Sequence, residues 1–345
     1  MPRKPTRLPI PGLLIALASA CVAGTAAGRA SEITLYSTRE VNLVEPVIAA
    51  FTQASGVKVK LVFVEDSLVK RPTSEGDASP PDVLMTIGLD KTTQLANHGL
   101  TQAFASSLLD QAVPPNLRGG NSQWVALSVR PRVVMARKDS SLAEIDYEDL
   151  ADPKWRGKLC IRSPLHQNNV ALIAAFLVHH GAGPTEAWLN GLKANLVHKP
   201  TGKDNDVIRE IAQGVCEIGI GNTVALAQLR DGREGGDRSG WARAVKAIPT
   251  VFKGGDSHVN LTGAAIAKHA PHPAAALKFL EFLVTPAAQR IYAAAELEYP
   301  VLAAADRDPI LVEIGSFLPD SLAIDQIAAH QEAAIALIKK VGFDE

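Results

Sequence analysis

Few residues of this chain are placed for covalent chemistry, and many are placed to hold an anion. The most informative stretch runs from Cys216 to Leu229. Val215, Ile218 and Ile220 read as a short apolar strand, and Val224, Leu226, Ala227 and Leu229 continue without a breaker as a helix. Between them, Asn222 or Thr223 can cap the first turn, whose free N–H groups point out of the strand's carboxyl end. Anions are favoured at such helix starts, and ligands of open α/β sheets bind there. Ser37-Thr38 offers caps to another helix, and the loop Ser163-Pro-Leu-His-Gln-Asn-Asn169 leads into a third. Arg130 and Arg132 alternate on one strand and so share a face. Each offers a planar fork suited to carboxylate or phosphate. Each is equally able to be structural, paired with a protein carboxylate.

Other chemistries lack their parts. An enzyme needs a nucleophile with a base, or a metal with an open position. No Gly-x-Ser-x-Gly elbow, His-Glu-x-x-His or Ser-x-x-Lys motif suited to either lies at a strand–helix junction. No CxxC pair and no clustered Cys/His set supports zinc. Cys160 and Cys216 both sit in strand-like runs; an oxidising compartment permits a disulfide, and two buried free thiols are the simpler expectation.

The elements that must position these residues alternate. Ile33 to Tyr36 is a strand, Glu40 to Ala54 an amphipathic helix closed by Gly56, and Val57 to Val64 a second strand. The apolar run Val83 to Ile87 follows Pro80-Pro81-Asp82, and Trp124 to Ala136 carries the two arginines. Beyond the turn-rich linker Leu150 to Lys158, the pattern predicts a strand at Leu159–Arg162. Helices follow at Val170–His180, Thr185–Ala194 and Asp206–Gln213. Arg230 to Gly240 reads as a charged surface loop. Ala247–Phe252 and Leu261–Ala267 read as strands, and Pro273–Val284, Ala287–Glu296 and Asp325–Lys340 as helices. This is an α/β pattern, and the 345 residues suggest two domains or lobes.

The first 30 residues stand apart. Arg3, Lys4 and Arg7 precede the apolar run Leu13–Ala20 and a small-residue stretch, Ala23–Ala30, as in a secretory leader cut after Ala30. A lipoprotein site at Cys21 is the weaker alternative, because Ala18-Ser19-Ala20 lacks the usual large aliphatic residue. Residues 1–30 hold four basic and no acidic residues. Removing them from the 35 basic and 36 acidic residues leaves a net charge of −5, which argues against nucleic acid as a partner.

Four segments together carry a resemblance: Ile33-Thr-Leu-Tyr-Ser-Thr-Arg39, Trp124-Val-Ala-Leu-Ser-Val-Arg-Pro-Arg-Val-Val134, Asp152-Pro-Lys-Trp-Arg-Gly-Lys158, and Lys278-Phe-Leu-Glu-Phe-Leu283 with Glu298-Tyr-Pro-Val301. In this order the chain resembles the periplasmic ferric-ion-binding proteins of bacterial ABC importers. The resemblance implies a two-lobed periplasmic-binding-protein fold. Each lobe is a mixed sheet flanked by helices, crossing strands form the hinge, and the cleft between the lobes closes on the ligand. The first lobe is expected at 31–132 plus 255–305 and the second at 133–254 plus 306–345. The partner it implies is an inner-membrane permease, served by a monomeric receptor that is not an enzyme.

Ferric ion favours anionic oxygen ligands, phenolate and carboxylate, with imidazole sometimes added. The family usually places two adjacent tyrosines after the Asn-Ser/Thr of the junction; here those positions are Val224 and Ala225. Its usual histidine after the first strand is Glu40, and a tyrosine used by some relatives falls at Asn168. A carboxylate position is Ser67, with Asp66 and Glu65 beside it. The usual ferric geometry is therefore not expected, and Glu40 and Asp66 are the remaining metal candidates.

What the resemblance leaves in the cleft is a set of donors: Ser37, Thr38, Arg39, Arg130, Arg132, Ser163, His166, Asn168, Asn169, Asn222, Thr223, His258 and Asn260. In the iron-binding relatives a small anion sits beside the metal. The expected ligand here is a small organic anion (a phosphonate, sugar phosphate or carboxylate) or an iron–anion complex, with no resident cofactor. The alternative is a ferric-ion-binding protein with a non-standard site. For His258 the competing expectation is a surface-loop histidine. Tyr36 is expected to pack near the cleft, Tyr299 is a possible cleft contact, and His179, His180, His269 and His272 are expected to be solvated.

Overall fold

The computed structural model describes residues 1–2, 32–65, 68–69, 80–232 and 238–344. The expected leader, apart from its first two residues, and the metal candidate Asp66 lie outside the described residues. Among the described residues no helix is long and apolar enough to cross a membrane.

The strands are β1 (Glu32–Ser37), β2 (Lys58–Phe63), β3 (Val83–Ile87), β4 (Val125–Arg137), β5 (Ile145–Asp146), β6 (Leu159–Ile161), β7 (Ile218–Asn222), β8 (Val245–Ile248), β9 (Thr250–Val251), β10 (Val259–Ile266) and β11 (Tyr299–Pro300). The main sheet has the order β2-β1-β3-β10-β4-β7-β6, with β11 and β8 also pairing to β4. β1 is parallel to both its neighbours, whereas β10 is antiparallel to β3 and β4.

The long strand β4 organises everything else. Its first half pairs with β10, up to Val259 opposite Pro131, and its second half pairs with β7, from Arg132 opposite Asn222. Pro131 has no N–H to give a ladder, so the partner change falls where a lost bond costs least. The side chains of Ser128, Arg130 and Arg132 leave one face of this strand.

Several local expectations change. The helix Val41–Ser55 is not capped by Ser37 or Thr38: Ser37 Oγ accepts from Arg39 N at 2.9 Å and Thr38 Oγ1 from Ile87 N at 3.1 Å. Both hydroxyls instead secure the chain leaving β1. The expected strand 247–252 divides at Pro249, where the chain passes from β4 to pair β9 with β5. The expected helix at 325–340 is two, Ile324–Ala329 and Gln331–Lys340, broken at His330 with backbone angles of −102° and 2°. Arg230 is no loop residue: its guanidinium donates to Val245 O at 2.9 Å and lies 3.3 Å from Glu313, and Arg238–Ala244 is helical.

Cys160 and Cys216 are not free thiols. They form a disulfide with Cα atoms 5.9 Å apart. Cys160 stands opposite Gly219 in the parallel β6–β7 pair, and Cys216 enters β7 from the same end. Only this register brings the two together.

Candidate functional site

Two buried charge clusters lie along the Arg130–Arg132 face of β4, and they differ in their balance. In the first, Arg39 Nη1 is 2.8 Å from Glu296, while Nη2 bonds Glu298 and donates to Thr262 Oγ1 at 2.7 Å. Arg130 lies 3.6 Å from Glu298 and donates to Leu261 O at 3.0 Å. Glu298 also accepts from Ser128 Oγ and from Thr262 Oγ1. Two guanidiniums thus meet two carboxylates. Burial alone would raise the Glu298 carboxyl, but Arg39 and Arg130 outweigh it and hold it below the usual range. Arg39 is therefore spent within the protein, contrary to the expectation of a ligand role.

In the second cluster the charges do not balance. Arg132 is fully buried; its Nε donates to Asn169 Oδ1 at 2.7 Å, and its Nη1 to Asn222 Oδ1 at 2.9 Å and Asp204 Oδ2 at 3.2 Å. Arg162 lies 3.7 Å from the same Asp204. Two guanidiniums share one carboxylate, and Arg132 Nη2 and Arg162 Nε have no hydrogen-bond partner. Asp204 itself is held below the usual carboxylate range: burial opposes this, and Arg132 with Arg162 prevails. Gly219 makes the arrangement possible. A Cβ there would lie 2.4 Å from Val207, so only glycine lets the helix Asp204–Ala212 press against β7. That approach brings Asp204 to the N–H of Asn222, at 3.1 Å.

Several buried neutral groups are also left without partners. Asn168 Oδ1, Thr223 Oγ1, His258 Nε2 and Asn260 Nδ2 are buried without hydrogen-bond partners. Each such group costs about 1–3 kcal/mol while it remains unpaired. Asn260 stands opposite Arg130 in the β10–β4 register, and the carbonyl of His258 accepts from Arg132 N at 3.0 Å. Tyr147 joins the two crossing segments, donating to Arg132 O at 2.6 Å and accepting from His258 N at 3.1 Å. The far wall is close: a Cβ on Gly88 would lie 3.6 Å from Gln167 Nε2, at the start of the helix Gln167–His180.

The remaining predicted site residues divide. Asn169 bridges Arg132 to the carbonyls of Arg162 and Ser163. Asn222 precedes the helix Thr223–Asp231, but its side chain serves Arg132 and not the helix cap. Ser163 is spent on Asp344, at 2.7 Å. Glu40 is exposed at a helix start, and among the described residues no group of three or more metal-ligating side chains includes it. His166 Nδ1 accepts from Asn168 N at 3.2 Å, so the proton of the neutral ring is on Nε2. Burial, then the fields of Arg162 and Arg132, lower its pKa to about 4. At neutral pH it offers a donor and no lone pair to a metal.

His258 is 1% exposed, not a surface residue, and burial with the Arg132 field lowers its pKa to about 3. An unfolded histidine titrates near 6.5, so the unfolded chain takes the proton first. Stability is therefore complete above that pH and falls as pH drops toward 3, at a rate on the order of 1 kcal/mol per pH unit. Urea unfolding between about pH 7 and pH 4 should show this slope flattened in His258→Gln; equal slopes in both proteins would refute the assignment.

Other histidines also differ from expectation. His179 and His180 are partly buried and lie 3.3 Å from Asp320 and 2.7 Å from Glu148. The phenols are occupied elsewhere. Tyr299 donates to Gly315 O at 2.9 Å and is no cleft contact, and Tyr36 is buried in a small apolar cluster with Leu84 and Leu95. Burial holds the phenols of Tyr147, Tyr292 and Tyr299 well above their ordinary range, the opposite of a phenolate ligand.

Sequence reasoning missed Asp204, Arg162, Glu296, Glu298 and Tyr147. A signal existed for Glu298, which lies in the segment Glu298-Tyr-Pro-Val301. Nothing local marked the rest.

The sequence model of the bacterial extracellular solute-binding proteins matches residues 33–295. The chain belongs to this family. It is 33% identical to iron uptake protein A1 of Synechocystis over 92% of this chain and 88% of that one. Among solved structures it matches a Bordetella ferric binding protein with a TM-score of 0.88 at 46% identity, covering 91% of this chain and 100% of that one. It also matches a Trichodesmium protein solved with iron and citrate ligands, with a TM-score of 0.85 at 35% identity, covering 90% and 99%. This solute-binding protein thus has the two-lobed architecture of those neighbours, with β4 and β10 crossing beneath the polar cluster. At the two positions where the resemblance to ferric-ion-binding proteins would place tyrosines, it has Val224, partly exposed, and Ala225, buried.

Proposed function

We propose that this chain is the periplasmic receptor of an ABC importer of the ferric-iron type, and that its iron arrives as an anionic complex with an organic chelator. One observation carries the reading: Arg132 and Arg162 share Asp204 and keep unpartnered guanidinium nitrogens, and buried Asn168, Thr223, His258 and Asn260 carry unpartnered polar atoms as well. Such a cluster suits a negatively charged, oxygen-rich surface. Without phenolates nearby, the chelator supplies the hard oxygen ligands that ferric ion requires. An organic anion free of iron, the first expectation from sequence, finds no support among the relatives named above, whose names and ligands are those of iron proteins. In this reading residues 31–132 plus 255–305 and residues 133–254 plus 306–345 are the lobes that close on the complex. The leader at 1–30 delivers the receptor to the permease side of the membrane.

The test is a thermal-unfolding comparison with ferric citrate, citrate alone, and ferric ion with carbonate. Ferric citrate at 100 times its dissociation constant should add about 2.7 kcal/mol, with no phenolate-to-iron band in the visible spectrum. A phenolate band, or stabilisation by citrate alone equal to that by ferric citrate, would overturn the reading. Arg162→Met should weaken ferric citrate binding by about 10- to 100-fold, the worth of one charge-assisted hydrogen bond, as read by calorimetry.

A further inference from the structure

A second group of ligand-type atoms lies at the opposite end of β7 from Asn222, about 20 Å along the chain from the cleft residues. Cys160 Sγ, a ring nitrogen of His198 and a Glu210 carboxylate oxygen lie within 4.8 Å of one another. Cys216, bonded to Cys160, brings a second sulfur to the same place. The histidine is oriented from behind: its Nδ1 lies 2.8 Å from Lys199 O, and a carbonyl only accepts, so Nδ1 carries the proton. Nε2 then faces Glu210 Oε2 at 3.2 Å. In a neutral ring that places a lone pair against a carboxylate, an arrangement completed by a second proton or by a cation. A backbone carbonyl holding the far ring nitrogen is how metal-binding histidines are commonly aimed. The other neighbour of Glu210, Arg209, lies 3.9 Å from its Oε1 and leaves Oε2 to His198.

With the disulfide intact only an imidazole and a carboxylate are free to ligate, short of the four ligands a structural zinc site takes. We propose that reduction converts this place into a four-ligand site, Cys160, Cys216, His198 and Glu210, for a thiophilic divalent cation of the zinc type. A dithiol reductant breaks the S–S bond, supplies two electrons and two protons, and is itself oxidised to a disulfide. Binding of the cation then releases those two protons and leaves two thiolates, one imidazole and one carboxylate around it. Tetrahedral Zn–S and Zn–N bonds put ligand atoms about 3.3–3.8 Å apart. The donors of Cys160, His198 and Glu210 therefore need close in by about 1–1.5 Å, while the Cys216 sulfur, once unbonded, must swing away from that of Cys160 to take the fourth position. The side chains of His198 and Glu210, 38% and 16% exposed, have room to do so. The site is independent of the cleft and of its cargo.

Cobalt(II) is the probe. The purified protein, reduced with a dithiol and freed of it without air, should bind one cobalt per chain and show a thiolate-to-cobalt charge-transfer band. The oxidised protein should show none. His198→Ala should weaken cobalt binding at least tenfold, and Glu210→Gln should change the visible bands. Far-ultraviolet circular dichroism follows the fold. A reduced chain, folded or unfolded, that cobalt neither binds with a thiolate band nor refolds would overturn the proposal. So would unchanged affinity and spectrum in both variants.

Discussion

Replacing Arg39 with alanine is expected to cost about 3–5 kcal/mol of stability, because it strands buried carboxylates without their main cation. Glu296 and Glu298 are fully buried and Arg39 is 6% exposed. Its guanidinium holds the first carboxylate at 2.8 Å, bonds the second, and donates to Thr262. In the variant, Arg130 is the cation left near Glu298, at 3.6 Å, beside the hydroxyls of Ser128 and Thr262. Denaturant unfolding reads the loss; a cost below about 1 kcal/mol would show that the cluster is not formed as described. The sequence led to a different expectation, that Arg39→Ala acts by weakening anion capture. The structure moves that effect from ligand affinity to folding. Calorimetry on the fraction that still folds should find ferric citrate affinity far less changed than in Arg162→Met.

Removing both cysteines, as Cys160→Ala with Cys216→Ala, is expected to cost about 4 kcal/mol, from the chain entropy that a bridge across 56 residues withholds from the unfolded state. The bridge closes a loop that includes the helix Asp204–Ala212, which presents Asp204 to Arg132. Guanidinium unfolding of the double variant beside the oxidised parent measures the loss. Equal stability would mean that the thiols are not joined in the folded protein. The reduced parent should match the variant while metal is withheld and recover stability when cobalt is added.

The element pattern was legible because it rests on local signals. Alternating apolar residues marked β1, short apolar runs marked β2 and β10, and Gly56, with φ of 74°, closed the first helix as its position suggested. Legibility failed where a local signal competed with a distant partner. Ser37, Thr38 and Asn222 all look like caps, yet Ser37 closes a local turn onto Arg39 N, and Thr38 and Asn222 serve bonds to another strand and to Arg132. His258 follows Gly254-Gly255, which reads as a loop, yet it is sealed beneath Tyr147.

By itself the sequence determined the α/β class, the order of elements, and the absence of phenols at the positions where ferric ligands are usual. A side chain's identity at a matched position needs no coordinates. The tertiary structure alone decided which donors are spent and which are free. Arg39 is neutralised by residues more than 250 positions away, while Arg132 and Arg162 divide a single Asp204. The joining of Cys160 to Cys216 was decided there too. These outcomes depend on register, where a slip of one residue sends a side chain to the opposite face, and on burial, which makes an unmatched charge costly enough to shape the site around it.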